Sequence, residues 1–160
     1  MRGAVRVDDS EAVAVEEVGG GGFVLGADIQ QIAKFSRSNV ATIVADITKP
    51  ETRELVKAGI PRAADVVISD VSPSISGVWD VDQARSVELV RSALGIAEGV
   101  LAPGGKFLVK VFQGEMFNDF LKEIRQRFEF VKVSKPMASR KGSAEVYVVG
   151  KGFKRPLGFC

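Results

Sequence analysis

Residues 40–70 read VATIVADITKPETRELVKAGIPRAADVVISD. This stretch opens and closes with short apolar runs rich in Val, Ile and Ala, and an aspartate follows each run. Between the runs lies a segment with helical features, residues 48–58, in which Pro50 stands near the start and Gly59 follows the end. A strand, a helix and a second strand in this order are typical of a parallel βαβ unit.

The same alternation continues on both sides of this unit. A second predicted helix spans residues 81–101, with Val87, Val90, Leu94 and Ala97 on one face, and a third spans residues 115–128. Only a loop separates the last two apolar runs, which suits an antiparallel hairpin at one edge. The sequence therefore predicts one α/β domain over residues 1–160 with a mostly parallel sheet. Its predicted strands are residues 23–27, 40–45, 65–69, 106–112, 130–133 and 145–149.

The composition excludes several classes of protein. The chain has no histidine, which excludes histidine-based catalytic triads and histidine metal sites. Its one cysteine, Cys160, can form no internal disulfide, and no apolar stretch approaches the roughly 20 residues that cross a bilayer. Asp8 and Asp9 come before any long apolar run, which argues against a signal peptide. We therefore expect a cytoplasmic protein that does not contact a membrane.

Charge is unevenly distributed along the chain. The net charge is only +2, yet residues 132–155 contain seven basic residues and a single acid, Glu145. A local basic surface suits a polyanion such as RNA, and it equally suits a solvated face of the sheet. Charge alone does not decide between these interpretations.

Three of the predicted strands end in a carboxylate, and these are Asp28, Asp46 and Asp70. In open α/β sheets ligands bind beyond the carboxyl ends of the strands, where three acids can receive the hydroxyls and the amine of an adenosine. One such aspartate often only begins a turn or caps a helix, but three in consecutive units favour a nucleoside-type cofactor. The four glycines of residues 19–22 precede a strand, so they predict a turn after a helix over residues 10–18 and not a phosphate loop.

Four motifs carry a resemblance to a known family. Residues 69–77 read SDVSPSISG, residues 101–105 read LAPGG, and residues 109–115 read VKVFQGE. Ser139 and Arg140 are followed by SAEVY at residues 143–147. In order and spacing these motifs resemble the FtsJ/RrmJ family of S-adenosylmethionine-dependent RNA ribose 2′-O-methyltransferases over residues 19–150. The resemblance implies the Rossmann-like fold of class I methyltransferases.

The resemblance also implies a set of site residues. The family uses a Lys-Asp-Lys-Glu tetrad, and Asp70, Lys110 and Glu145 match its second, third and fourth members. The family's cofactor acids match Asp28 and Asp46, with Asp70 also touching the cofactor. The implied cofactor is S-adenosylmethionine, whose methyl group is already activated, so no metal is implied. The implied substrate is a uridine of large-subunit ribosomal RNA, while relatives act on transfer RNA or on messenger caps.

Two family features have no match in this sequence, namely the first lysine of the tetrad and the first cofactor loop. Residues 1–9 are a candidate remnant of the strand that leads into that loop, since a missing central strand would leave backbone groups unpaired within the sheet. Two hypotheses stay open: an active methyltransferase with a shortened cofactor pocket, and a non-catalytic RNA-binding relative that has lost cofactor affinity. A dinucleotide-dependent dehydrogenase is disfavoured because no Gly-x-Gly-x-x-Gly turn is present.

The resemblance assigns the central role to Lys110. It either accepts the proton of the ribose hydroxyl, which needs a lowered pKa, or orients the hydroxyl while the proton leaves late. Asp70 would position Lys110 by a charge-assisted hydrogen bond, and Glu145 would hold the lysine or the ribose.

The surroundings of this site supply candidates for RNA binding. Lys135, Arg140 and Lys141 flank it as candidate phosphate ligands, and residues 151–160 form a basic tail. Phe112 and Trp79 either stack on bases or fill the core, and we assign Phe112 to the core.

Overall fold

The computed structural model of the chain describes residues 3–7, 18–32, 37–135 and 143–155. Within these residues the strands are β1 (Gly3–Val7), β2 (Phe23–Asp28), β3 (Val40–Val44), β4 (Ala64–Ser69), β5 (Leu101–Phe112), β6 (Phe128–Ser134) and β7 (Glu145–Phe153). The helices are α1 (Pro50–Gly59), α2 (Trp79–Val100) and α3 (Phe117–Arg127), which connect β3 to β4, β4 to β5 and β5 to β6. The strands form one sheet in the order β3-β2-β1-β4-β5-β7-β6.

Strand β1, which lies in the segment that the sequence analysis proposed as a strand remnant, is the middle one of the five parallel strands. It pairs in parallel with β2 on one side, where Val5 lies opposite Leu25, and with β4 on the other, where Val5 lies opposite Val67. The pairs β2–β3 and β4–β5 are parallel as well. The mostly parallel sheet predicted from the alternating pattern is confirmed.

The predicted antiparallel pairing of the last two strands is also confirmed, and β7 occupies a position that the sequence did not specify. It lies between β5 and β6 and runs antiparallel to both. Because β7 runs against β5, the first residue of β7 lies at the same edge of the sheet as the last residue of β5. Glu145 is thus the direct partner of Phe112.

The described helices pack against the sheet around one large apolar core, and Val24 belongs to a second, smaller cluster. Helix α1 begins and ends with residues that suit its dipole, with Pro50 and Glu51 at its start and Lys57 near its end. The predicted apolar stripe of α2 is confirmed, since Val87, Val90, Leu94 and Ala97 are all buried. The apolar stripe of the third predicted helix is confirmed as well, since Phe117, Leu121, Ile124 and Phe128 are all buried.

Several boundaries differ from the prediction. Helix α2 ends at Val100, and the Pro103-Gly104-Gly105 sequence expected to end it lies inside β5, where Gly104 has a φ of 80°. Strand β7 extends to Phe153, so residues 151–153 belong to the sheet and not to the tail. Residues 156–160 of the tail lie outside the described residues, as do residues 10–17 of the expected first helix.

The glycine turn before β2 was predicted correctly. Gly19 has a φ of 65°, and the amide of Gly22 donates to its carbonyl over 3.2 Å. None of the described helices has the length and apolarity that a membrane crossing needs.

Candidate active site

The carboxyl ends of β2, β3 and β4 surround a cavity of about 250 Å³. Asp28 and Asp46 line it together with Ile29 and Ile47, and residues 71–74 close it on the side of β4. Two of the three acids that the sequence assigned to a cofactor, Asp28 and Asp46, therefore lie in one cavity, whereas Asp70 is not among its lining residues. A cavity of this size is slightly below the roughly 300–1,000 Å³ of drug-sized ligand sites, so it suits one part of a cofactor, such as a nucleoside.

Local hydrogen bonds fix both acids. Asp28 Oδ1 accepts the amide of Gln30 over 2.7 Å, and Asp46 Oδ1 accepts the amide and the hydroxyl of Thr48 over 2.9 and 2.7 Å. The hydroxyl and amide of Thr48 lower the pKa of Asp46, so this carboxylate is ionised at neutral pH. In each acid the other carboxylate oxygen has no hydrogen bond within the described part of the chain and is available to a ligand.

Asp70, which follows β4, and Lys110 on β5 form an ion pair. Lys110 Nζ lies 2.9 Å from Asp70 Oδ1, and the lysine side chain is only 15% exposed. The pair arises because Ser69 and Val109 are direct partners in the parallel ladder, so the residues that follow them meet at the edge. Asp70 Oδ1 is buried, so its contact with the Lys110 ammonium is shielded from solvent.

The pKa of Lys110 is raised, contrary to what a proton-accepting lysine needs. Burial lowers this pKa, but the ion pair with Asp70 and the charges of Glu145 and Tyr147 together outweigh burial and raise it above 10.5. Lys110 is therefore a cation at neutral pH. Its charged form stabilises the fold below the ordinary lysine pKa, and this contribution is lost as the pH rises through the raised value. A charged lysine is compatible with the orienting role that the resemblance implies.

The side chain of Glu145, on β7, lies on the same face of the sheet as Lys110. Lys110 pairs with Tyr147 and Phe112 pairs with Glu145, and strand alternation places all four side chains on one face. Glu145 is half-buried, and its amide donates to Ser143 Oγ over 3.2 Å. The structure thus brings Asp70, Lys110 and Glu145 to one edge, with Asp28 and Asp46 beside them.

The comparisons with known proteins begin with the sequence family. Residues 11–153 match the FtsJ-like methyltransferase family, which is most of the chain. The chain belongs to this family.

Curated relatives of this FtsJ-like methyltransferase domain carry the name Ribosomal RNA large subunit methyltransferase E. The protein from Methanothrix thermoacetophila is 54% identical over 131 residues, covering 82% of this chain and 51% of its own length. That from Methanocaldococcus jannaschii is 47% identical over 144 residues, covering 88% and 59%. The chain spans about half the length of the curated relatives it matches.

Solved structures show the same fold at low sequence identity. A Plasmodium falciparum protein assigned as a ribosomal RNA methyltransferase aligns with a TM-score of 0.82 at 21% identity, covering 95% of this chain and 86% of its own. Human methyltransferase-like protein 13, solved with SAH, aligns with a TM-score of 0.65 at 15% identity, covering 99% and 75%. The FtsJ-like domain therefore has the Rossmann-like methyltransferase fold.

Three buried polar residues near the start of α2, which the sequence analysis missed, support the site of this FtsJ-like domain. Asp82 accepts hydrogen bonds from the amide and hydroxyl of Ser76 over 2.8 and 2.7 Å, and from the amide of Gly77 over 3.1 Å. Gly77 has a φ of 85°, a conformation that favours glycine. The carboxylate thus fixes the loop that follows Asp70.

Gln83 and Ser86 hold the segment that follows Lys110. Ser86 Oγ accepts the amide of Phe112 over 3.1 Å, and Gln83 Oε1 accepts the amide of Glu115 over 2.7 Å. Gly114 lies so close to Gln83 that an added Cβ would be 1.5 Å from Oε1. These contacts explain why the VKVFQGE sequence has a glycine there.

A signal for these residues was present in the helical pattern. Gln83 and Ser86 continue the buried stripe of Val87 and Val90 at helical spacing. Polar residues on a stripe that is otherwise apolar need hydrogen-bond partners, and here those partners are loop and strand amides.

Of the three candidate phosphate ligands, only Lys135 lies among the described residues, and it is exposed. Its Nζ donates to the carbonyl of Ser143 over 2.7 Å, which places its charge beside Glu145. Arg140 and Lys141, the other two candidates, lie outside the described residues.

Asp82→Asn is expected to destabilise the domain at neutral pH more than in acid. The hydrogen bonds from Ser76 and Gly77 lower the pKa of Asp82 below 3.8. A lowered folded-state pKa contributes stability above the unfolded value, and that contribution is lost as the pH falls through the folded value. Urea unfolding at neutral pH and well below pH 3.8 measures the difference, with Glu54→Gln at the surface of α1 as an exposed control. An equal loss at both pH values would contradict this account.

Proposed function

We propose that the domain is an S-adenosylmethionine-dependent RNA ribose 2′-O-methyltransferase that acts on a uridine of large-subunit ribosomal RNA. The observation that carries the proposal is the Lys110–Asp70 ion pair, with Glu145 on the adjacent strand and the cavity of Asp28 and Asp46 beside it. The names of the curated relatives support ribosomal RNA as the substrate class.

The residues present fit the nucleoside part of S-adenosylmethionine. Asp28 and Asp46 each offer a free carboxylate oxygen to hydroxyl or amine donors, and Ile29 and Ile47 supply apolar walls for a flat ring. Asp70, the acid of the ion pair, directly precedes residues 71–74, which line this cavity. When bound, S-adenosylmethionine supplies a methyl group activated by a sulfonium.

In the proposed mechanism Lys110 acts as a cation. It donates a hydrogen bond to the ribose 2′-oxygen and turns a lone pair of that oxygen toward the methyl group. Asp70 holds the ammonium in place through the ion pair. The hydroxyl proton leaves late, once the oxygen carries positive charge, and passes to Glu145 or to water. A protonated lysine is consistent with this order of events, because it orients the oxygen without having to accept the proton.

The test is methyl transfer from S-adenosylmethionine with a labelled methyl group to large-subunit ribosomal RNA by the 160-residue chain. Methylation of the 2′-oxygen blocks alkaline cleavage of the adjacent phosphodiester, so alkali should release the label in a dinucleotide. Nucleoside analysis should then identify 2′-O-methyluridine. Label released in mononucleotides would mean base methylation and would overturn the ribose assignment.

Asp28→Ala is expected to weaken binding of S-adenosylmethionine by roughly 10- to 150-fold, because hydrogen bonds to a charged group contribute about 1.5–3 kcal/mol. Isothermal titration measures the change. Asp119→Ala is the matched control, since Asp119 is exposed and pairs with Lys122 at the surface of α3. Absence of binding by the folded wild-type chain would favour a non-catalytic RNA-binding relative instead.

A further inference from the structure

An exposed apolar segment lies directly after the Asp70 loop. Ile75, Val78 and Trp79 are 67%, 55% and 48% exposed, although all three are large hydrophobic residues. A cluster of exposed apolar side chains beside a polar site commonly marks a place where another molecule binds.

Trp79 is held in a fixed position at the start of α2. Its ring stacks on the ring of Phe112, with centroids 5.9 Å apart and an angle of 27° between the planes. Phe112 is 8% exposed, so it belongs to the core as assigned, while about half of Trp79 stays open to solvent. The result is an aromatic surface supported from below by the core.

The segment that carries Trp79 is rigidly supported. Asp82 binds Ser76 and Gly77 through three hydrogen bonds, and the hydroxyl of Ser76 also accepts the amide of Val78 over 3.2 Å. Trp79 is thus displayed by an ordered turn, so a ligand that stacks on it does not have to order the turn first.

This aromatic surface adjoins the reactive groups. Phe112 lies two residues beyond Lys110 on the same strand face, about 7 Å along β5. Trp79 and Phe112 line a cavity of about 280 Å³ with Ile75, Ser143 and Glu145. The carbonyl of Ser143 binds the ammonium of Lys135, so a cation stands at the border of the cavity.

We propose that Trp79 and Phe112 form a stacking platform for the base of the nucleotide whose ribose is methylated. This inference rests on the proposed function and deepens it by naming the base-binding site. An unpaired nucleotide matches the three neighbouring features: its base stacks on Trp79, its ribose reaches Lys110 and Glu145, and its phosphate meets Lys135. An apolar protein segment would offer no hydroxyl group to Glu145 and no anion to Lys135, so we favour RNA over a protein ligand.

Trp79 is the only tryptophan of the chain, so its fluorescence reports on this surface directly. We expect a short single-stranded oligouridylate to quench the emission saturably, because a stacked base contacts the indole ring. An oligomer of abasic ribose phosphate has the same charge and should quench far less. Equal quenching by both oligomers would mean that only the backbone binds, and would overturn the platform.

Substitution separates stacking from general RNA binding. Trp79→Ala is expected to raise the Kd for oligouridylate by roughly 5- to 150-fold, as measured by anisotropy of a labelled oligomer. Trp79→Phe should recover most of the affinity, while the Kd for S-adenosylmethionine should not change in either variant. Phe130→Ala is the control, because Phe130 is an exposed aromatic residue on the edge strand β6.

Measurements of methyl transfer and of RNA binding together distinguish a failure of the platform from a failure of the proposed function. Methyl transfer by the wild-type chain, with unchanged RNA affinity in Trp79→Ala, would overturn the platform and leave the function standing. Base-dependent quenching without any methyl transfer would support the platform on a non-catalytic RNA-binding protein. Absence of both quenching and methyl transfer would overturn both proposals.

Discussion

Lys110→Ala is expected to lower the rate of methyl transfer by about 10²- to 10⁴-fold, the range that a positioned proton-transfer or charge-stabilising group contributes. The variant loses the cation that orients the ribose oxygen in the proposed mechanism, and it leaves Asp70 without its ion-pair partner. Cofactor binding should be largely retained, since Asp28 and Asp46 line a cavity that Lys110 does not. Single-turnover methylation of ribosomal RNA measures the rate, and titration with S-adenosylmethionine checks the pocket.

Two further variants give this prediction its controls. Lys106→Ala removes an exposed lysine from the same strand face of β5 and should leave the rate unchanged. Lys110→Arg keeps the charge but replaces a compact ammonium with a broad planar fork, so it should recover little of the lost rate. Full activity of Lys110→Ala would exclude the proposed role of the lysine.

Gly114→Ala is expected to destabilise the domain by about 1–3 kcal/mol, the usual cost of adding a methyl group to a tightly packed site. Its Cβ would lie 1.5 Å from Gln83 Oε1 and 2.5 Å from Gln83 Cδ. Gln83 must then move away, which breaks its hydrogen bond to the amide of Glu115. Thermal unfolding measures the change, at roughly 2–4 °C per kcal/mol for a domain of this size.

Gly95 provides the matched control for this substitution. It lies within α2, and an added Cβ would meet nothing within 4 Å, so Gly95→Ala should stabilise the helix by up to about 1 kcal/mol. A second change, Gln83→Ala in the Gly114→Ala chain, removes the clashing atoms and should recover part of the lost stability. A Gly114→Ala protein as stable as the wild type would show that Gln83 yields without cost.

The sequence specified most of the fold because the signals involved are local. Apolar runs, Pro50 and Gly59 mark a strand–helix–strand unit within thirty-one consecutive residues, 40–70. The positions of Asp28, Asp46 and Asp70 followed from the same signals, since the carboxyl ends of parallel strands share one edge. The place of β7 between β5 and β6 was not predictable in this way, because it depends on pairing between strands far apart in the chain.

The candidate site was predictable only in part, and the reason is physical. Lys110 and Glu145 came from the resemblance of their motifs, whereas the raised pKa of Lys110 is the balance of burial against nearby negative charges. That balance depends on distances which a sequence does not contain. Ser86 and Gln83 bind amides that lie 26 and 32 residues away, so no local pattern names their partners.

The first turns of α2 have a consequence for how the site opens. Side chains from this short stretch hold the amides of Ser76, Gly77, Phe112 and Glu115, which belong to segments far apart in the chain. Fraying of the helix start would release all four amides in one event, so they should share one opening free energy and exchange their protons with solvent together. The loop behind Asp70 and the strand end behind Lys110 would then be a single cooperative unit, which is either assembled as a whole or not assembled.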